Sequence, residues 1–158
     1  MNTDLHFSSA RADWGTPPEF FARLHEEFSF TLDVCAHEDN AKLDRYLSPA
    51  VDALAQPWAP ERCFMNPPYG RAITGKWIAK ARLESERGAL VVCLIPARTD
   101  TSYWHEHVMR AAEVRLVRGR LRFEGADDAA PFPSAVVIFT PGPRDCAHVG
   151  PRFTSMRA

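Results

Sequence analysis

Residues 89–95 form an unbroken apolar run, Ala-Leu-Val-Val-Cys-Leu-Ile, and few folds can house it. A strand with one wet face alternates apolar and polar side chains, so a continuous run of this length reads as a strand buried on both faces. Such a strand needs a layer above it and another below, and its neighbours supply them. Residues 74–87 read as a helix with Thr74 at its N-cap and Gly88 just past its end. Asp100 is placed to cap a second helix reaching Ala112, with Trp104, Val108 and Ala111 on one face. Upstream, Thr16-Pro17-Pro18-Glu19 has the form of a capping box, and Phe20, Phe21, Leu24 and Phe28 follow at helical spacing. Residues 28–35 read as a strand ending near Asp33–Ala36, and residues 62–66 as a short strand stopped by Pro67-Pro68. Residues 37–60 are polar and proline-punctuated, a loop with one helical turn near residues 49–54. Residues 114–117 and 134–139 complete the strands. Strands alternating with helices predict an α/β fold with a mostly parallel sheet and helices on both faces. We expect one domain over residues 14–140, preceded by a flexible lead-in (1–13) and followed by a tail (141–158).

Composition bounds the function classes. A chain of 158 residues that is 46% hydrophobic and 25% charged can bury a proper core, which argues against disorder. The longest apolar stretch, residues 88–97, is about half of the ~20 residues a bilayer span needs, and no secretory leader is apparent. Cys35, Cys63, Cys93 and Cys146 are far apart, without C-x-x-C or a histidine at zinc spacing, so they read as thiols in a reducing cytoplasm rather than metal ligands. His105 and His107 fall on different sides of a helix, and no metal site is expected. The net charge of −1 hides an asymmetry: residues 1–66 carry a net of −6 and residues 67–158 a net of +5. That split points to an anionic partner for the second part.

The chemistry concentrates in Asn66-Pro67-Pro68-Tyr69-Gly70. In open α/β sheets, ligands bind beyond the carboxyl ends of strands, where this loop lies. The double proline withholds two N–H donors and turns nearby carbonyls outward. The Asn66 amide adds another acceptor, and the Tyr69 ring can stack on a base. Two acceptors, Asn66 Oδ1 and the Pro67 carbonyl, suit a planar group with an exocyclic NH2, drawing its nitrogen out of conjugation.

This motif resembles the N-P-P-Y signature of amino-methyltransferases that use S-adenosylmethionine. Further blocks widen the resemblance: residues 14–21, residues 32–36 with Asn40-Ala41-Lys42, Asp52 with Trp58, residues 94–98 with Trp104, residues 119–123 and residues 134–139. Together they make the chain similar to the phage-type DNA N6-adenine methyltransferase family, often called Dam-like, over residues 14–140. The resemblance implies a reduced Rossmann-like methyltransferase sheet, S-adenosylmethionine as cofactor and DNA as substrate. Position by position it implies that Asn66, Pro67, Pro68 and Tyr69 form the catalytic loop, and that Thr16 and Pro17, with Trp14, hold the cofactor's methionine end. It assigns Asp33, Cys35 and Ala36 to the loop after the first strand, and Asp52 to the cofactor's adenine or ribose. The usual glycine-rich cradle is absent, and Asp33-Val34-Cys35-Ala36 stands in its place. The interval from there to Asn66 leaves little room for the usual second and third strand–helix units.

An adenine inside a duplex must be flipped out to reach a methyl donor. Arg110, Arg115, Arg118, Arg120 and Arg122 stand against Glu113 alone, and the last three alternate so as to share one face of an extended ribbon. Arg118, Arg120 and Arg122 are therefore candidate DNA contacts, with Arg71 and Lys76 after the catalytic loop and Arg98 after the central strand. No separate target-recognition domain fits, which predicts short or relaxed sequence specificity, or reliance on a second copy as a homodimer. Two other readings stay open: the same chemistry on RNA or a protein amide, and a catalytically degenerate DNA-binding module.

Overall fold

The computed structural model describes residues 14–143 and 149–158. Helices α1 (Pro18–Phe28), α2 (Ile73–Glu86) and α3 (Ser102–Glu106) accompany strands β1 (Leu32–Asp33), β2 (Arg62–Met65), β3 (Leu90–Pro96), β4 (Glu113–Arg118), β5 (Ser134–Phe139) and β6 (Arg152–Arg157). The strands form one sheet in the order β1-β2-β3-β5-β4-β6. β1–β2, β2–β3 and β4–β6 pair parallel, whereas β5 runs antiparallel to both β3 and β4. The fold is the expected mostly parallel α/β sheet with a Rossmann-like character.

Residues 90–95 of the apolar run lie in β3, every residue of which is buried, and Ala89 just before it is buried too. Its side chains alternate between two cores. Val91, Cys93 and Ile95 pack with Ile78 and Ala81 of α2 and Tyr103 and Trp104 of α3. Leu90, Val92 and Leu94 pack with Phe20, Phe21 and Leu24 of α1. Helices therefore cover both faces, as the run requires. Between β1 and β2 the chain forms only a 3-10 turn at Pro49–Val51, so the sheet is reduced at this margin.

Several local expectations are corrected. Thr16 does not cap α1: the N-cap is Pro17, without a side-chain cap, because the Thr16 hydroxyl is engaged elsewhere. Thr74 lies inside α2, where its hydroxyl accepts from the Gly70 N–H and donates to the Pro68 carbonyl. The helix expected after Asp100 instead has Thr101 at its N-cap and ends at Glu106. A 3-10 turn, Val108–Arg110, then carries Val108 and Ala111 into the core. The Pro-rich end does not run out as a tail, because residues 152–157 add strand β6 along β4. The lead-in 1–13 and Cys146 lie outside the described residues. Among the described residues, no helix is long and apolar enough to cross a membrane. Nor does any cluster of three or more His, Cys, Asp or Glu side chains among them suit a metal ion.

Candidate active site

Five of the six strands point the same way, so the ends of β1, β2, β3, β4 and β6 open onto one edge of the sheet. β5 starts at that edge, so the loop 119–133 between β4 and β5 lies there with both its ends. A cavity of about 280 Å³ opens at the β1–β2 end of this edge. Trp14, Thr16, Asp33, Cys35, Ala36, Asp52, Asn66, Pro67 and Pro68, all candidates from the sequence, line it together. Pro17 caps α1 beside the cavity, and Tyr69 stands behind Asn66 rather than in the lining.

Asn66 follows β2 directly, and its carboxamide is held from three sides. Its Nδ2 donates to the Trp14 carbonyl and, at 2.9 Å, to Thr16 Oγ1. Its Oδ1 accepts from the Tyr69 hydroxyl at 2.7 Å, and that hydroxyl also lies 3.1 Å from the Leu94 carbonyl. Two acceptors on one side and a donor on the other fix which atom is oxygen. Burial raises the Tyr69 pKa well above the ordinary phenol value, so the hydroxyl stays a donor. The Tyr69 ring sits edge-to-face against Phe123 and Phe132. Tyr69 is thus placed to orient Asn66 as well as to present a ring.

Asp33 organises the opposite wall. Its side chain is 2% exposed, with Oδ1 accepting from the Cys35 N–H (3.3 Å) and Oδ2 from the Lys42 N–H (3.1 Å). Burial pushes its pKa up to about 6, against the two N–H donors and the Lys42 charge. The main chain continues the link. Asp33 N–H bonds the Arg45 carbonyl, and the Asp33 and Leu47 carbonyls accept from Leu47 and Ala36. The segment 36–47 therefore runs along the open edge of β1. Asp52 sits on the rim in the left-handed conformation (φ 46°), which aspartate tolerates better than most residues.

Other residues of the lining are not among the candidate site residues, although Gly15, Asn40 and Lys42 fall in the resembling blocks. Gly15, His37, Asn40, Lys42, Ser48, Ala53, Leu54 and Trp77 also line it. The Ala53–Leu54 wall rests on Trp58, whose indole donates to the Ala53 carbonyl and whose ring stacks on Trp77. Trp58 in turn is fixed through buried Glu84, which accepts from the Trp58 and Ala59 N–H groups and pairs with Lys80 and Arg87. Burial opposes ionisation of Glu84, but these donors outweigh it and bring the pKa down to about 2. This wall depends on the pairing of Trp58 with Trp77, which carries no local periodicity.

The proposed DNA contacts are exposed at the same edge. Arg118 ends β4, while Arg120 and Arg122 alternate with buried Leu121 and Phe123 on the loop 119–133. Arg71 and Lys76 are exposed around the start of α2, and Arg98 follows β3 with its guanidinium 6.0 Å from the Phe132 ring centroid. Arg115 is not part of this set, because it makes a bidentate pair with Glu27 and a further bond to Glu113.

Residues 5–144 match the family described as DNA N-6-adenine-methyltransferase (Dam). A DNA N-6-adenine-methyltransferase of Haemophilus phage HP1 is 28% identical over 137 residues, covering 81% of this chain and 78% of that protein. One from Escherichia phage T1 is 29% identical over 110 residues, covering 68% of this chain but 45% of its own length. The matched residues include every residue that lines the cavity, and the chain belongs to the DNA N-6-adenine-methyltransferase (Dam) family.

Proposed function

We propose that the chain transfers a methyl group from S-adenosylmethionine to N6 of an adenine flipped out of DNA, with short or relaxed sequence specificity, in a reducing cytoplasm. The observation that carries this is the Asn66 carboxamide, locked from three sides where it opens onto the cavity. With its Nδ2 committed to the Trp14–Thr16 segment, Asn66 can meet a substrate only through Oδ1. A carbonyl oxygen has two lone pairs, and the Tyr69 hydroxyl takes one, leaving the other for an amine N–H. The Pro67 carbonyl beside it accepts the second N–H. Both bonds draw the amine's hydrogens into place and concentrate its lone pair for attack. No nucleophilic side chain is needed: the N6 lone pair forms the new N–C bond as the methyl's bond to the sulfonium sulfur breaks, a neutral thioether is left, and N6 releases one proton to solvent.

The cavity suits the cofactor. Its volume is near the lower end of the roughly 300–1,000 Å³ range for small-molecule sites. Phe64, Leu54 and Trp77 give apolar surface for a flat ring. The Asp33 and Asp52 carboxylates suit a ligand that carries positive charge and ribose hydroxyls. Trp14, Thr16, Asp33, Cys35, Ala36 and Asp52 would hold S-adenosylmethionine, with Pro17 setting the start of α1 beside it. When bound, it supplies the activated methyl group.

Arg118, Arg120, Arg122, Arg98, Arg71 and Lys76 hold backbone phosphates at the same edge, which helps offset the few kcal/mol that base flipping costs. The test is incubation of unmethylated DNA with methyl-labelled S-adenosylmethionine, comparing wild type with Asn66→Ala. Label on adenine N6 with a large loss in the variant is expected. Equal incorporation by both proteins would overturn the role of Asn66, and label in RNA or protein instead of DNA would redirect the substrate.

A further inference from the structure

The aim of Asn66 depends on a segment that belongs to neither sheet nor helix. Both acceptors of its Nδ2 lie in residues 14–16: the Trp14 carbonyl and the Thr16 hydroxyl. Between them, the Gly15 carbonyl accepts the Glu124 N–H at 2.8 Å, and the two residues form an isolated antiparallel bridge. The Trp14 ring stands edge-on to Phe123 and Phe132, each with centroids 5.3 Å away. The loop 119–133 thus grips the 14–16 segment through both backbone and ring contacts.

Glu124 is where that grip meets the cavity's other wall. Its carboxylate bonds Lys42 Nζ at 2.7 Å, and the Lys42 backbone N–H is held by Asp33. The fit is close at the backbone: a Cβ on Gly15 would lie 2.9 Å from Glu124 Oε2 and 3.0 Å from Glu124 Cβ. Any side chain at residue 15 would therefore require Glu124 or the 14–16 segment to shift. The Glu124 side chain is 38% exposed, and ion pairs so placed add little to stability. Its consequence is geometric.

We propose that Glu124 is a positioning residue for methyl transfer, holding residues 14–16 at the depth that aims Asn66 Oδ1 at the substrate amine. This rests on the function proposed above. Glu124 touches neither substrate nor cofactor in this scheme: it acts through Gly15 and Lys42. A displacement of about 1 Å at reacting groups can cost on the order of a hundredfold in rate.

Two measurements test it. In steady-state methylation, Glu124→Gln keeps the backbone bridge but loses the ion pair, and kcat falls about tenfold while KM for DNA changes less than about threefold. Gly15→Ala loses more, and the swap Lys42→Glu with Glu124→Lys recovers most of the rate. The second readout needs no activity. The chain has three asparagines, Asn2, Asn40 and Asn66, so selective 15N-asparagine labelling resolves the Asn66 side-chain amide, identified by its loss in Asn66→Ala. In the ligand-free protein, Gly15→Ala and Glu124→Gln shift that resonance pair and speed its hydrogen exchange, and the swap restores it. Unmoved Asn66 resonances in both variants, or a wild-type kcat in Gly15→Ala, would overturn the proposal. If wild type labels no DNA, the proposed function fails, while the amide resonances still decide whether Glu124 governs Asn66.

Discussion

The buried Asp33 carboxyl makes stability depend on pH in a calculable way. Its pKa is pushed from 3.8 up to about 6. The fold therefore prefers the protonated form, and this contribution is complete below pH ~3.8 and lost as pH rises through ~6. The full difference, about two pKa units, corresponds to about 3 kcal/mol at neutral pH. Between pH 5 and 7.5 the loss is about 1.4 kcal/mol, because much of it has already accrued at pH 5. Asp33→Asn removes the titration but also one acceptor. The two carboxylate oxygens receive separate N–H donors, from Cys35 and Lys42, and an asparagine can serve only one of them with oxygen. The other N–H then faces an NH2 group, at a cost of about 1–3 kcal/mol. The absolute stabilities of the two proteins should therefore be close, and their pH slopes should not. Urea unfolding of both proteins at several pH values isolates the effect, since His107, whose pKa is lowered chiefly by burial, acts equally in each. The wild type should lose about 1.4 kcal/mol relative to Asp33→Asn on going from pH 5 to 7.5. A difference between the two proteins that stays constant with pH would refute the reasoning.

Three more outcomes are expected. Tyr69→Phe removes the 2.7 Å bond to Asn66 Oδ1 and should lower kcat about tenfold in a methylation assay, the equivalent of one buried hydrogen bond; a rise would mean that the hydroxyl competes with substrate. Glu84→Gln leaves Lys80 without its carboxylate and should cost about 3 kcal/mol in denaturant unfolding. Because the Glu84 pKa is lowered to about 2, its contribution holds above pH ~4.5 and fades below that, so the gap between the two proteins narrows in acid. Arg120→Ala with Arg122→Ala should weaken DNA binding and flatten the dependence of log affinity on log salt, read by fluorescence anisotropy. The slope should fall by about one for each phosphate that is no longer neutralised.

What the sequence disclosed follows from how far each signal reaches along the chain. The buried run in β3 and the Asn66–Tyr69 loop are contiguous, so local pattern and chemistry suffice to place them. The alternation of Arg120 and Arg122 with Leu121 and Phe123 also survives folding, because a two-residue period on an extended ribbon needs no tertiary information. Thr16 misleads because a hydroxyl ahead of a helix has competing acceptors and donors: here Asn66, 50 residues away, takes it. Arg115 joins a basic cluster in sequence, yet Glu27 from α1 neutralises it across 88 residues. The far wall of the cavity, from Ser48 to Leu54 and Trp77, and the hold of Glu124 on Gly15 join distant segments. No spacing rule reports those.

Strand β6 has a consequence for how the molecule behaves among its own copies. An uncovered margin of a sheet is a template for unwanted strand addition. Without residues 152–157, β4 would offer such a margin beside exposed Leu116. With β6 in place, the outer strand ends on the exposed Arg157, while Arg152 at its start pairs with Glu113, and charged side chains along an edge discourage strand addition. The opposite margin, β1, is sheathed by the segment 36–47 through the Asp33–Tyr46 bridge. Cutting the chain before Gly150 should therefore raise the tendency to aggregate even though every residue of the cavity remains.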